Sequence, residues 1–272
     1  MKRIIIIALL AAIMLCGCTE QASIPKLEIV LFDVGKADSF FMQSGGDTLL
    51  MDAGKEDDGE YVADQLRKMG IQTIDHFIIT HFDKDHVGGA AQIINEFDVK
   101  NVYQPEYMKE SDETAAYVAA LEKNGTEATI ITESCTVFLG GALFQINNAT
   151  EEYDYDPSNN SSLITAIRHG EVNLLFTGDI EKERINDWMN QHVHVEVDYD
   201  FLKVPHHGKY EKILPEFFEK VNAEYAVITS SSKNPEETET LEALKDAGVK
   251  YYLTKNGDIY LESNGKKLTI KQ

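Results

Sequence analysis

The sequence predicts an α+β protein, an αββα sandwich in which two β-sheets pack face to face with helices outside. Two observations carry that expectation. Apolar strands and amphipathic helices alternate from residue 27 to residue 272 with no break in composition, so this stretch reads as one domain. Each half is rich in strands yet carries its own helices, which suits two facing sheets better than one doubly wound parallel sheet.

Leu27–Phe32, Ser39–Gln43 and Thr48–Met51 read as strands, separated by Gly and Asp turns such as Gly45-Gly46-Asp47. From Gly59 to Gly70, Val62, Leu66 and Met69 recur at helical spacing and a glycine closes the run. A strand at 74–80 leads into a loop, followed by a helix from Gly89 to Glu96 and a strand at Val99–Tyr103. Asp112–Asn124 has helical Ala and Leu spacing and ends at Gly125. The second half repeats the alternation. Strands are expected at 128–132, 135–139, 142–147, 161–168 and 172–177, a helix at Glu181–Gln191, a strand at Phe201–Val204 and a helix at Ile213–Val221. Tyr225–Thr229 as strand, Glu236–Ala247 as helix and strands at 250–253, 258–262 and 266–270 follow. Asn256-Gly257 and Asn264-Gly265 are hairpin signals, which predict a small antiparallel unit at this end.

The first residues form a separate segment. Lys2-Arg3 precedes an apolar run from Ile4 to Leu15, too short to span a bilayer comfortably, and then Cys16-Gly17-Cys18; an uncleaved membrane anchor is the alternative reading. The pattern resembles a bacterial lipoprotein signal peptide over residues 1–17, with Cys18 as the lipid-modified residue and 18–26 as a linker. Cys16 suits that role badly because Leu15 precedes it where a small residue is wanted. The expectation is a protein outside the cytoplasmic membrane, held in the cell envelope only by its lipid. Cys135 is then the remaining cysteine, so no internal disulfide is expected.

The 272 residues carry 25 Lys and Arg against 46 Asp and Glu, a net charge of −21. Loss of residues 1–17 would remove Lys2 and Arg3 and leave −23. Nucleic-acid binding rests largely on phosphate neutralisation by basic residues, and no Lys/Arg-rich stretch appears, so a nucleic-acid partner is disfavoured.

The chemistry concentrates in residues 81–89, His-Phe-Asp-Lys-Asp-His-Val-Gly-Gly, directly after the apolar strand at 74–80. His81, Asp83, Asp85 and His86 are four nitrogen and oxygen donors in six positions, and carboxylates this dense repel one another unless a cation sits among them. Gly88-Gly89 lets the following helix pack closely behind the loop. Other donors also stand where strands meet turns: Asp33, Asp52, Asp179 in Thr177-Gly178-Asp179, and the tandem pair His206-His207. Turn chemistry accounts for an aspartate before glycine, but not for two consecutive histidines. His76, His169, His192 and His194 receive no role.

This set resembles the metallo-β-lactamase superfamily, and within it the ComEC-like branch. The matching pieces are Asp33-Val34-Gly35 with Asp38, Asp52-Ala53-Gly54, His81-x-Asp83-x-Asp85-His86-x-Gly88-Gly89, Asn160-x-Ser162-Leu163, Thr177-Gly178-Asp179 and Val204-Pro205-His206-His207-Gly208. The resemblance implies the αββα fold with a metal site at the rim of the sheets. It implies two divalent ions, Zn²⁺ or Mn²⁺, one served by His81 and Asp83 and the other by Asp85 and His86. Asp179 would bridge, and His206 or His207 would complete the shell. Asp33, Asp38 and Asp52 would orient the ligands, and Asn160 falls where other branches supply a further histidine. The chain departs from the pattern at Lys36-Ala37, at Lys209 and at Glu236-Glu237, which touches substrate contacts more than ligands.

The expected activity is hydrolysis of a phosphodiester or related ester, in a small-molecule or cell-envelope substrate, by metal-activated hydroxide that Asp85 orients or deprotonates. Asp83 in place of an imidazole makes a harder, more anionic site and favours phosphoesters over lactams. The competing expectations are a ComEC-like extracellular nuclease and a metal-stabilised binding lipoprotein that has lost catalysis.

Overall fold

The computed structural model describes residues 24–149, 152–191 and 197–272. Cys18, the segment 1–17 and His192 and His194 lie outside the described residues, as does most of the linker. The first sheet is assembled from β1 (Leu27–Leu31), β2 (Phe40–Ser44), β3 (Asp47–Met51), β4 (Thr73–Ile78), β5 (Asp98–Pro105), β6 (Ala128–Ile131), β14 (Ile259–Ser263) and β15 (Leu268–Lys271). Its order is β15-β14-β1-β2-β3-β4-β5-β6. The second contains β7 (Cys135–Leu139), β8 (Ala142–Asn147), β9 (Ile164–His169), β10 (Val172–Phe176), β11 (Phe201–Lys203), β12 (Tyr225–Ile228) and β13 (Lys250–Leu253), ordered β13-β12-β11-β10-β9-β8-β7.

Strand alternation builds the layers. Leu27, Ile29 and Leu31 of β1 point between the sheets, where they share one core with Phe144, Leu174, Phe176 and Phe201. The intervening register faces outward: Phe41, Leu50, Phe77 and Val102 pack under α1 (Gly59–Lys68), α3 (Ala90–Glu96) and α4 (Asp112–Asn124). Leu175, Leu202 and Ala226 do the same under α6 (Lys182–Asn190), α7 (Leu214–Val221) and α8 (Thr238–Asp246). The molecule is thus the αββα sandwich that the alternation predicts.

Two local expectations change. Asn256-Gly257 does not close a hairpin, because β13 pairs in parallel with β12 in the second sheet while β14 pairs with β1 in the first. The dipeptide carries the chain between sheets, with Gly257 at φ 120 and ψ 173, outside the geometry of a tight hairpin turn. Asn264-Gly265 does join an antiparallel pair, β14 and β15, but that pair completes the first sheet rather than standing apart. Short helices also appear where loop was expected: α2 (Lys84–Val87) inside the 81–89 segment, and α5 (Pro157–Asn160) before β9. A single turn has no period to read.

Parallel pairing runs through β3, β4, β5 and β6 in one sheet and β10, β11, β12 and β13 in the other. Carboxyl ends of parallel strands therefore line up at one rim, the usual location of a site in such sheets.

Candidate metal centre

Most donor groups at that rim follow a strand end, with Asp85 and His86 on α2 and Asp38 just before β2. Asp52 leaves β3, Thr80 and His81 leave β4, Asp179 leaves β10, His206 and His207 leave β11, and Thr229 leaves β12. After His81, α2 turns the chain back so that the His81 and His86 rings lie 4.0 Å apart. Gly88 and Gly89 make this possible. A Cβ on Gly88 would stand 2.4 Å from the Lys84 carbonyl oxygen and 2.5 Å from the Glu56 nitrogen, and one on Gly89 would stand 2.3 Å from the Ala53 carbonyl oxygen.

Each imidazole is oriented through its Nδ1. Asp52 holds a left-handed backbone, φ 56, and its carboxylate accepts from the Thr80 amide at 2.8 Å and the Thr80 hydroxyl at 2.7 Å. The same carboxylate binds His86 Nδ1 at 2.8 Å, which turns His86 Nε2 toward Asp179 Oδ2 at 3.4 Å. His207 Nδ1 lies 2.8 Å from the Thr229 hydroxyl, which donates to Asp38 Oδ1 at 2.6 Å. His207 Nε2 then stands 3.0 Å from Asp179 Oδ2 and 3.6 Å from Asp85 Oδ2. Such carboxylate or hydroxyl partners on the far nitrogen fix the tautomer and aim of a metal-binding histidine.

The residues present fit a divalent ion. The Nε2 of His81 is buried with no hydrogen-bond partner, and those of His86 and His207 meet only carboxylate oxygens; buried nitrogens are rarely left unpartnered. His81, His86 and Asp179 form one group whose ligand atoms lie within 4.8 Å of one another, and Asp85, His86 and His207 form another. Asp38 completes two further groups, with Asp179 and His207 and with Asp52 and His86, but its oxygens already meet Lys203 and Thr229.

Electrostatics point the same way. Burial pushes Asp179 and Asp38 up, but the neighbouring His207 and Lys203 cations outweigh it and hold both carboxyls below the usual range. Burial likewise opposes His207, yet Asp179 and Asp38 lift it to about 10, and Asp179 and Asp52 raise His86 in the same sense. His81, buried beside His86, falls to about 3. The carboxylates thus recruit protons onto His86 and His207, which is the charge that a bound cation would replace.

The remaining candidates are distributed around this centre. His206, also left-handed at φ 45, has Nδ1 2.9 Å from Glu181 Oε1 and Nε2 3.8 Å from Asp179 Oδ2, and joins none of the groups. Asp83 joins none either; its Oδ1 accepts from Lys109 at 2.8 Å and from the Ser158 hydroxyl at 2.5 Å. Asn160 turns its Oδ1 to the amides of Glu181 and Arg184, where it caps the start of α6, and donates to the Tyr155 carbonyl. Asp33 stands apart, in a turn where its amide donates to Asp258 and its carboxylate accepts from Gly35.

Lys203 belongs to none of the sequence motifs yet sits inside the centre. Its fully buried ammonium lies 2.6 Å from Asp38 Oδ2 and 3.2 Å from Asp179 Oδ1, and donates to the Gly178 carbonyl at 3.0 Å. A lysine in the apolar run Phe201–Val204 is the signal that could have found it, since buried lysines occur paired. Thr80 and Thr229 carried no such signal, because threonine is ordinary at a strand end. A cavity of about 540 Å³ is lined by Tyr107, Met108, Tyr153, Pro157 and Ser161, among others, and reaches the centre's surroundings only through Pro157, the neighbour of the Ser158 that bonds Asp83.

The family model of the metallo-beta-lactamase superfamily matches residues 32–230. Among curated proteins, the chain is 28% identical over 169 residues to ComE operon protein 3 of Bacillus subtilis, covering 62% of this chain and 21% of that protein. It is 26% identical over 228 residues to Recombination protein 2 of Haemophilus influenzae, covering 79% of this chain and 26% of that one. The chain therefore spans about a fifth to a quarter of the length of these relatives. Among solved structures it is similar to the metallo-beta-lactamase fold protein YhfI of Bacillus subtilis, with a TM-score of 0.60 and 11% identity over 88% of this chain and 100% of that one.

Proposed function

Because the chain belongs to the metallo-beta-lactamase superfamily of metal-dependent hydrolases, we propose that it hydrolyses a phosphodiester or related ester at the rim of its two sheets. The observation that carries this is the convergence of His86 Nε2, His207 Nε2, Asp85 and Asp179, with each imidazole locked from behind. A divalent ion held by these groups would acidify a water to the hydroxide that attacks the ester and would stabilise the oxyanion that develops.

The chain's own side chains do the rest. Asp85, the more exposed carboxylate of the set at 23%, is placed to accept a proton from an attacking water at its Oδ2. Asp52 and Thr229 keep the imidazole Nε2 atoms pointed inward without touching the substrate. Phosphoesters are favoured over lactams because the centre is rich in carboxylates, with Asp38, Asp52, Asp85 and Asp179 all in contact with its imidazoles.

The test is metal analysis of the purified protein, followed by turnover of bis-p-nitrophenyl phosphate beside simple esters, a lactam panel and single-stranded DNA with Mn²⁺. Phosphodiester turnover that chelator abolishes and metal restores is the expected result. Tight metal with no turnover on any substrate would favour a binding protein instead. Efficient DNA cleavage would favour the nuclease reading over the argument from a charge of −21.

We also infer that Cys18 carries a lipid anchor that holds the protein in the cell envelope, supported by Lys2-Arg3 and the apolar run before it. Among the described residues no helix is long and apolar enough to cross a membrane. Cys18→Ala should move the protein out of the membrane fraction on cell fractionation. Unchanged partition would sink the anchor.

A further inference from the structure

Asp83 and Lys109 meet at the side of the centre where the donor set is thinnest. One group of ligand atoms, Asp85, His86 and His207, is complete with Asp179 beside it. The other rests on His81 with Asp179 and borrows His86 from the first. Asn160, the polar group that falls on that side in the sequence pattern, is turned away to cap α6. The carboxylate nearest His81 in the chain is Asp83, and its oxygen is held by Lys109 and Ser158.

Resting on the metal-centre reading above, we propose that Lys109 is an exchangeable counter-ion: its ammonium occupies Asp83 in competition with a second divalent cation, and moves to the rim of the cavity when that cation binds. Three features support this. Lys109 is attached to Asp83 by a 2.8 Å ion pair, yet its side chain is 46% exposed, so the pair is partly solvated and cheap to open. It belongs to the segment between β5 and α4, directly after Tyr107 and Met108, which line the same cavity as Pro157, the neighbour of the Ser158 that also holds Asp83. Its release would therefore deliver one positive charge to the place where an anionic substrate group enters, while Asp83 turns to a cation next to His81. The same residue would lower affinity for the second metal in the resting protein and supply a substrate contact in the loaded one.

The consequence is an asymmetric centre, one tight and one weak cation site. The purified full chain, stripped with chelator and titrated with Mn²⁺ by calorimetry, should show two binding events of unequal affinity. Lys109→Ala should tighten the weaker event by roughly three- to ten-fold, the scale of a partly exposed ion pair plus the lost like-charge repulsion, and leave the tighter one within about two-fold. Lys109→Arg, which keeps the charge, should retain the wild-type asymmetry. Asp83→Asn should abolish the weaker event alone.

Two equal tight events in the wild type would overturn the proposal, as would Lys109→Ala constants identical to wild type. So would a Lys109→Arg variant that behaves like alanine, since the charge would then be irrelevant. A wild type that binds no Mn²⁺ at all would overturn the metal-centre reading itself, an outcome distinct from failure at Lys109 alone.

Discussion

The Asp85→Ala, His86→Ala double variant should lose phosphodiester turnover by on the order of 10³-fold or more, together with its tightly bound metal. Both residues belong to the Asp85, His86 and His207 group, and His86 is shared with the group around His81. Removal of the pair leaves His207 and Asp179 as the remaining donors of the stronger site, too few to retain a divalent ion against solvent. The measurement is metal content by elemental analysis alongside the initial rate on bis-p-nitrophenyl phosphate, with circular dichroism to show that the sandwich persists. The fold should survive, because the apolar layers between and outside the sheets include neither Asp85 nor His86. A variant that keeps its metal or retains turnover within ten-fold of wild type would refute the proposed centre.

Lys203→Met should be the most destabilising single change at the site. The ammonium is fully buried and is paired with Asp38 and Asp179, so the substitution leaves two carboxylates in the interior without their fixed cation. Breaking a buried ion pair from one side costs about 3–5 kcal/mol, which in a chain of this size corresponds to a fall in Tm on the order of 10 °C. Methionine conserves the apolar length of the side chain, so the loss reports charge rather than volume. Adding Asp38→Asn to Lys203→Met removes one of the two stranded charges and should recover part of the loss. Thermal unfolding of the chelated protein reads both variants. If Lys203→Met melts within about 2 °C of wild type, the ammonium does not balance these carboxylates in the folded protein.

The layers of the sandwich were legible because each rests on a pattern many residues long. The Ala and Leu spacing and Gly125 mark α4, and the structure ends it with a left-handed Gly125 and adds a cap that the spacing did not show, the Ser111 hydroxyl. The alternation of Leu27, Ile29 and Leu31 against Phe41, Leu50 and Phe77 likewise survives any neighbour. Asn256-Gly257 misled because two residues permit a hairpin without requiring one, and pairing of β13 with β12 decides the matter from elsewhere in the chain. At the site, donors that follow apolar strands could be picked out by position, and the structure gathers His81, Asp85, His86, Asp179 and His207 into overlapping groups. What could not be read is what each donor touches. Asp83 faces Lys109, 26 positions away, and Thr229 joins His207 to Asp38 across 191 positions. Contacts of that range depend on how the strands are ordered in space, which local periodicity does not encode.

The pairing of β14 with β1 has a kinetic consequence. Lys26, just before β1, is bonded to Glu262 of β14, 236 positions along the chain, and β1 lies between β2 and β14 in the sheet. β1 can form its hairpin with β2 early, but its other edge stays open until β14 and β15 arrive. A chain with so distant a closing seam folds slowly, because loop entropy is spent before the contact repays it. Through that interval the exposed edge of β1, Leu-Glu-Ile-Val-Leu, is an apolar template for pairing with another molecule. On dilution from denaturant the full chain should therefore aggregate more readily as its concentration rises, read by light scattering.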